Sequence, residues 1–166
     1  MHKHKKQSGF TLVELLIVIA LIAIIAAVAF VALDPLKRFQ DTRDARRLSD
    51  ITALATAIKV AQVDNGGKYT YPINGVTNNE VYMISNGTST GCTAYNANCI
   101  TAVTQDNCLN LEYLVTAGYL ADVPISPNGD QVWATSSVGY TLEKTGNNIT
   151  IRACEGEAGT ELVVKR

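Results

Sequence analysis

A single carboxylate interrupts a 24-residue apolar run. Residues 10–33 read FTLVELLIVIALIAIIAAVAFVAL, and Glu14 is the only charge among them. At ~1.5 Å per helical residue the run reaches ~36 Å, enough to cross a hydrocarbon core of ~30 Å. A carboxylate in such a segment costs about 3 kcal/mol even on lenient insertion scales, so it marks a functional contact with a partner. Three lysines, Lys3, Lys5 and Lys6, precede the run, and Gly9 stands at the junction. Positive charge on this side predicts a cytoplasmic N-terminus and a C-terminal part outside the membrane.

A second basic cluster complicates that orientation. Residues 36–47 hold Lys37, Arg38, Arg43, Arg46 and Arg47 against Asp41 and Asp44, a balance of +3 on the translocated side. The orientation therefore rests more on the cysteines. Cys92, Cys99, Cys108 and Cys154 all lie far beyond the apolar run. An even count there reads as disulfides in an oxidising compartment. Three pairings are open, and Cys92–Cys99 with Cys108–Cys154 is the favoured one. Zinc is the competing reading, but the chain has no C-x-x-C pair and both histidines, His2 and His4, precede the run.

The 166 residues suit one modest globular domain plus an anchor. From Lys68 onward five basic residues face nine acidic ones, a balance of −4. An acidic outer domain rich in Asn, Thr and Gly argues against a specific nucleic-acid partner.

Asp34-Pro35 follows the apolar run, and Pro35 predicts a kink or local break. Helix pattern then resumes, with Leu48, Ile51, Ala55, Ile58 and Ala61 at three- and four-residue steps and Arg46, Arg47, Asp50 and Lys59 among the polar positions. Gly66-Gly67 suits its C-terminal cap. Residues 10–64 thus predict one helix of ~80 Å. Beyond it, residues 69–71 and 81–85 read as short β-like runs and 86–107 as a polar loop. Residues 109–117 read as a helix capped by Asp106 or Asn107, and Pro124, Pro127 and Asn128-Gly129-Asp130 mark turns. Residues 139–144 and 148–154 predict a hairpin around 145–147, with an edge strand at 161–164. The expected fold class is α+β, a long N-terminal helix packed on a small antiparallel sheet. Its parts are a basic leader (1–9), a transmembrane helix (10–33), an amphipathic continuation (34–67) and an extracytoplasmic β-rich domain (68–166).

Gly9-Phe10-Thr11-Leu12-Val13-Glu14-Leu15-Leu16 resembles the type IV prepilin signature. That family includes pilins of type IV pili, competence pseudopilins and the pseudopilins of type II secretion. The resemblance covers residues 3–33, extends in layout to about Gly67, and is architectural beyond that. It implies a prepilin peptidase that cuts between Gly9 and Phe10 and methylates the new N-terminus. It also implies an assembly ATPase, an inner-membrane platform and a homo-oligomeric helical filament, extracellular or periplasmic, that subunits enter from the membrane. A leader cut before the apolar run leaves the whole run as an anchor. Glu14 then pairs with the Phe10 ammonium of a neighbouring subunit, which relieves the buried charge and sets axial register. Heterologous contacts of this kind generate filaments. Ala20, Ala23, Ala26, Ala27 and Ala29 allow close helix packing.

Other readings stand beside it. A carboxylate near a membrane edge snorkels, and Glu14 is only four residues from Phe10. Ala27-Val28-Ala29 fits a secretory cleavage site, which would leave a secreted or singly anchored binding domain that never polymerises. A secretion pseudopilin differs only in the machine it serves. Seven tyrosines and Trp133 are spread as core aromatics rather than as a stacking surface. The sequons at Asn86 and Asn148 are short enough to arise by chance. Ser126, Asn128 and Asp130 could offer oxygen to calcium but lack a carboxylate cluster, so no cofactor or metal is expected. No Ser/His/Asp or Cys/His set exists beyond the leader, and an enzyme is not expected.

Overall fold

The structure is a computed structural model that describes residues 9–87, 90–128 and 132–166. The lysine leader, Thr88 of the first sequon, and Gly129-Asp130 lie outside the described residues. The chain forms two compact units, Met1–Phe39 and Gln40–Arg166.

The first unit is built on α1, Leu12–Leu33, whose 22 residues leave none buried. At ~1.5 Å per residue it is ~33 Å long. Asp34 ends it in the left-handed region (φ 36°, ψ 71°). A second helix, α2, starts at Pro35 and runs to Asp64. Proline at a first helical position loses nothing, because that N–H has no intrahelical acceptor. Asp34 also caps the new helix, since its Oδ1 accepts from Lys37 N at 3.4 Å. The expected long helix is thus present over Leu12–Asp64, interrupted once by the left-handed residue Asp34 where a break at Asp34-Pro35 was expected.

In the second unit, α2 buries Ile51, Leu54, Ala55, Ala57, Ile58 and Ala61, one face at three- and four-residue spacing. Spacing alone places Leu48 on this face and Arg47 among the polar positions. The structure reverses them: Leu48 is 46% exposed and Arg47 is fully buried. The helix stops where Gly66 and Gly67 turn left-handed (φ 66° and 83°) and Gly67 N donates to Gln62 O at 2.9 Å.

Five strands follow: β1 (Val81–Ser85), β2 (Leu109–Asn110), β3 (Tyr140–Thr145), β4 (Asn148–Ala153) and β5 (Val163–Lys165). They form one sheet in the order β2-β1-β3-β4-β5. The hairpin and the edge strand stand close to their expected places. The sheet is mixed rather than antiparallel, because β2 pairs parallel to β1 (Ile84↔Leu109). That strand takes the start of the segment expected to be helix, and α3 is confined to Glu112–Thr116. Asn110 explains the change: its Oδ1 accepts from both Gly87 N and Glu112 N at 2.9 Å, so it caps the helix from the end of a strand. Residues 69–71 form no strand. Tyr69 instead donates its hydroxyl to Asn147 O at 2.8 Å and receives Lys59 Nζ at the same distance.

Alternate strand residues face opposite ways, so the sheet carries two cores. Ile84, Tyr140, Leu142, Ile149 and Ile151 pack with α2. Met83 faces the other side, where Cys92, Cys99, Val103, Trp133 and Cys154 collect. Trp133 needs Gly139 beneath it, because a Cβ there would lie 2.6 Å from its ring. The aromatics divide: Tyr140 and Trp133 are core residues, whereas Tyr71 is 77% exposed.

The cysteines correct the favoured pairing. Cys92 bonds Cys108 and Cys99 bonds Cys154. Residues 92–98 form a 3-10 turn that carries Cys99 away from Cys92 toward the end of β4. A Cys92–Cys99 bridge would have to close over that turn.

Candidate processing and assembly site

The N-terminal site is organised by the start of α1. Gly9 and Phe10 precede the helix, and Phe10 is 91% exposed. Both residues flanking the Gly9–Phe10 bond are exposed and outside regular secondary structure.

Thr11 and Glu14 form a reciprocal cap. Glu14 N donates to Thr11 Oγ1 at 3.2 Å, and Thr11 N donates to Glu14 Oε2 at 2.9 Å. The Thr11 hydroxyl also donates to Oε2, at 2.8 Å. Two backbone donors that helix geometry leaves without partners are satisfied in this way. The negative carboxylate also stands at the positive end of the helix dipole. Glu14 is therefore held locally within one chain, a contact the sequence reading did not assign. Threonine three residues before glutamate at the edge of an apolar run was the signal. The two bonds that Thr11 donates both end on Oε2, and Oε1 takes part in neither. Cutting after Gly9 would place a new ammonium on the residue directly before Thr11.

A second polar constellation ties α2 to the domain. Arg47 Nη1 lies 2.8 Å from Asp44 Oδ1 and 3.1 Å from Glu157 Oε1, and Nη2 lies 3.7 Å from Glu155 Oε2. Nε donates to Ser126 Oγ at 3.2 Å and Nη2 to Pro127 O at 3.0 Å. Arg43 pairs with Glu157 from the preceding turn. The hydrogen bond from Arg43, opposed by partial burial and helped by Arg47, holds the Glu157 carboxyl below its ordinary value. One turn on, Tyr140 donates its hydroxyl to Asp50 Oδ2 at 2.7 Å. Burial first, then the Asp50 carboxylate, pushes that phenol well above its usual range.

Two of the three oxygen-bearing residues singled out for calcium are described, and Asp130 lies outside the described residues. Ser126 is taken by Arg47, and Asn128 Oδ1 accepts from Trp133 N at 3.3 Å. Among the described residues no three His, Cys, Asp or Glu side chains gather as a metal site would require.

Against models of known families, residues 4–30, which include Gly9, Phe10 and Glu14, match one. That model describes a prokaryotic N-terminal methylation motif. The motif is consistent with the type IV pilin and pseudopilin family and supports a pilin-like or pseudopilin precursor. It implies processing by a prepilin peptidase and assembly into pilus-like filaments, and marks a structural kind of protein that is typically not enzymatic. No curated protein and no solved structure matches the chain significantly. The apolar helical stretch beginning at Leu12 is long enough to cross a membrane and stands near the N-terminus, which fits single-pass anchoring.

Proposed function

We propose that the chain is the membrane-held precursor of a type IV pilus-like filament subunit. Prepilin peptidase cuts between Gly9 and Phe10, methylates the Phe10 amine and leaves α1 as both anchor and future filament core. The observation that supports this reading is the match of residues 4–30 to a methylation motif, a range that includes Gly9, Phe10 and Glu14.

Assembly follows from the charges that cleavage creates. The mature N-terminus is an ammonium at the start of an apolar helix, and Glu14 is a carboxylate one turn away. Each is costly in hydrocarbon alone and tolerable when paired. Glu14 Oε2 stays with Thr11 while Oε1 receives the Phe10 ammonium of the next subunit, so the cap persists through assembly. The second unit, 40–166, then forms the outer shell, crossed by two disulfides suited to an extracytoplasmic compartment. An ATP-driven machine and its membrane platform supply the work of extraction.

Mass spectrometry of the mature N-terminus tests the first step. Methylated Phe10 supports the reading, whereas a chain starting near Phe30 overturns it in favour of a secreted domain. Glu14→Ala tests the second: a stable, processed membrane protein absent from filaments is expected. Wild-type filament yield from that variant would refute the pairing.

A further inference from the structure

The basic cluster after α1 falls in both units. Arg47 and Arg43 serve the carboxylates of the 155–157 turn. Lys37 and Arg38 stay at the surface of the first unit, immediately past the apolar helix. Arg38 Nε donates to Leu33 O at 3.0 Å, which ties its guanidinium to the last residue of α1. A cation on that carbonyl also opposes the negative end of the helix dipole. Leu36 and Phe39, one turn apart, are 75% and 65% exposed beside these cations. Phe30, Val31, Asp34, Pro35 and Leu36 line a notch of about 480 Å³ at the interruption between the helices. Asp34 is the one carboxylate of the segment, and its Oδ1 is turned to Lys37 N.

We infer that residues 34–39 form a membrane-interface collar in which Lys37 and Arg38 bind anionic phospholipid headgroups while Leu36 and Phe39 enter the acyl boundary. The inference rests on the membrane-anchored reading above. It commits to lipid as the occupant because the surface is continuous with the span and its charge is complementary to a phospholipid leaflet. Aromatic and aliphatic side chains beside lysine and arginine suit the headgroup level, and the two cations follow directly on the hydrocarbon-length helix. The collar sets the depth of α1 in the bilayer. It also adds a salt-sensitive hold that extraction of the subunit must break. The basic cluster that weakened the orientation argument thereby gains a role that does not depend on topology.

The test uses the full chain in lipid nanodiscs, of phosphatidylcholine alone or with added phosphatidylglycerol, followed by hydrogen exchange. Exchange across residues 34–39 should slow with phosphatidylglycerol, by up to roughly fivefold for each cation at low salt. High salt should remove the difference. The double variant Lys37→Gln/Arg38→Gln should lose the lipid dependence while residues 12–33 remain protected. Equal exchange at 34–39 in both lipids, with 12–33 protected, would overturn the collar alone. Slowing produced by inorganic phosphate in phosphatidylcholine discs would assign the site to free anion and overturn it too. Fast exchange across 12–33 in both discs would remove the membrane reading and the collar with it.

Discussion

Arg47 Nη1 lies 3.1 Å from Glu157 Oε1 although 110 positions separate them in the chain. The guanidinium is fully buried, yet all three of its nitrogens have partners on Asp44, Ser126, Pro127, Glu155 or Glu157. A buried cation is tolerated only on those terms. It therefore acts as a clasp between the start of α2's buried face and the last turn before β5.

Removing the clasp should be expensive. Arg47→Met deletes the buried cation of the cluster and leaves Asp44, Glu155 and Glu157 with Arg43 as the one remaining cation, on Glu157. We expect a loss of about 3 kcal/mol. Trp133, whose Nε1 donates to Glu155 Oε2 at 3.0 Å, reports on this region, so urea unfolding of the full chain in detergent can be followed by its fluorescence. Arg46→Ala, at an exposed position one residue away, should stay within about 0.5 kcal/mol of wild type.

The same cluster sets an acid limit. Arg43 and Arg47 depress the Glu157 carboxyl, so the folded state binds its proton less readily than the unfolded chain. A depressed carboxylate contributes stability that is fully present above the unfolded value, 4.5, and is lost as pH falls through the lower folded value. Stability should decline with pH below about 4.5. Glu157→Gln should flatten that decline and lower the plateau at neutral pH. An unchanged acid limb in the variant would show that Glu157 is not its source.

The two disulfides should differ in worth. Cys99–Cys154 spans 55 residues and Cys92–Cys108 spans 16. Loop-closure entropy assigns about 4 and about 3 kcal/mol to them. The longer bridge also immobilises the residue next to Glu155. Paired Cys→Ala variants, compared by chemical unfolding under oxidising conditions, should rank Cys99/Cys154 as the costlier loss. The reverse order would mean that strain or residual unfolded structure outweighs loop length.

Much of this architecture was legible from pattern. The apolar run, the helix face at Ile51, Ala55, Ile58 and Ala61, the paired glycines and the β3–β4 hairpin are local signals of period or turn chemistry. What escaped was non-local. Leu109-Asn110 has no strand signature of its own and becomes one only because Ile84 and Ser85 offer a parallel edge. Arg47 reads as a surface residue until Glu155 and Glu157 return to it through the last third of the fold. Cysteine pairing likewise depends on where the 92–98 turn points, which spacing does not encode. At the N-terminal site the Thr11–Glu14 cap carries a local signature, threonine three residues before glutamate, which the charge of Glu14 overshadowed.

Thr11 and Glu14 can be separated by chemistry, because a cap needs an acceptor whereas an ion pair needs a charge. Glu14→Gln keeps a side-chain oxygen for Thr11 N, as glutamine serves in the same cap, but it carries nothing to offset an ammonium. Thr11→Val does the opposite: it removes the hydroxyl that accepts from Glu14 N and keeps the carboxylate. Loss of the hydroxyl should cost the first turn of α1 about 1 kcal/mol. If the proposed contact between neighbours governs assembly, Glu14→Gln should be processed normally and leave filaments almost absent, while Thr11→Val should still assemble at reduced yield. Filament counts normalised to processed, membrane-held subunit measure both. A Glu14→Gln chain that polymerises like wild type, beside a Thr11→Val chain that does not, would reduce Glu14 to a helix cap and end the ion-pair account.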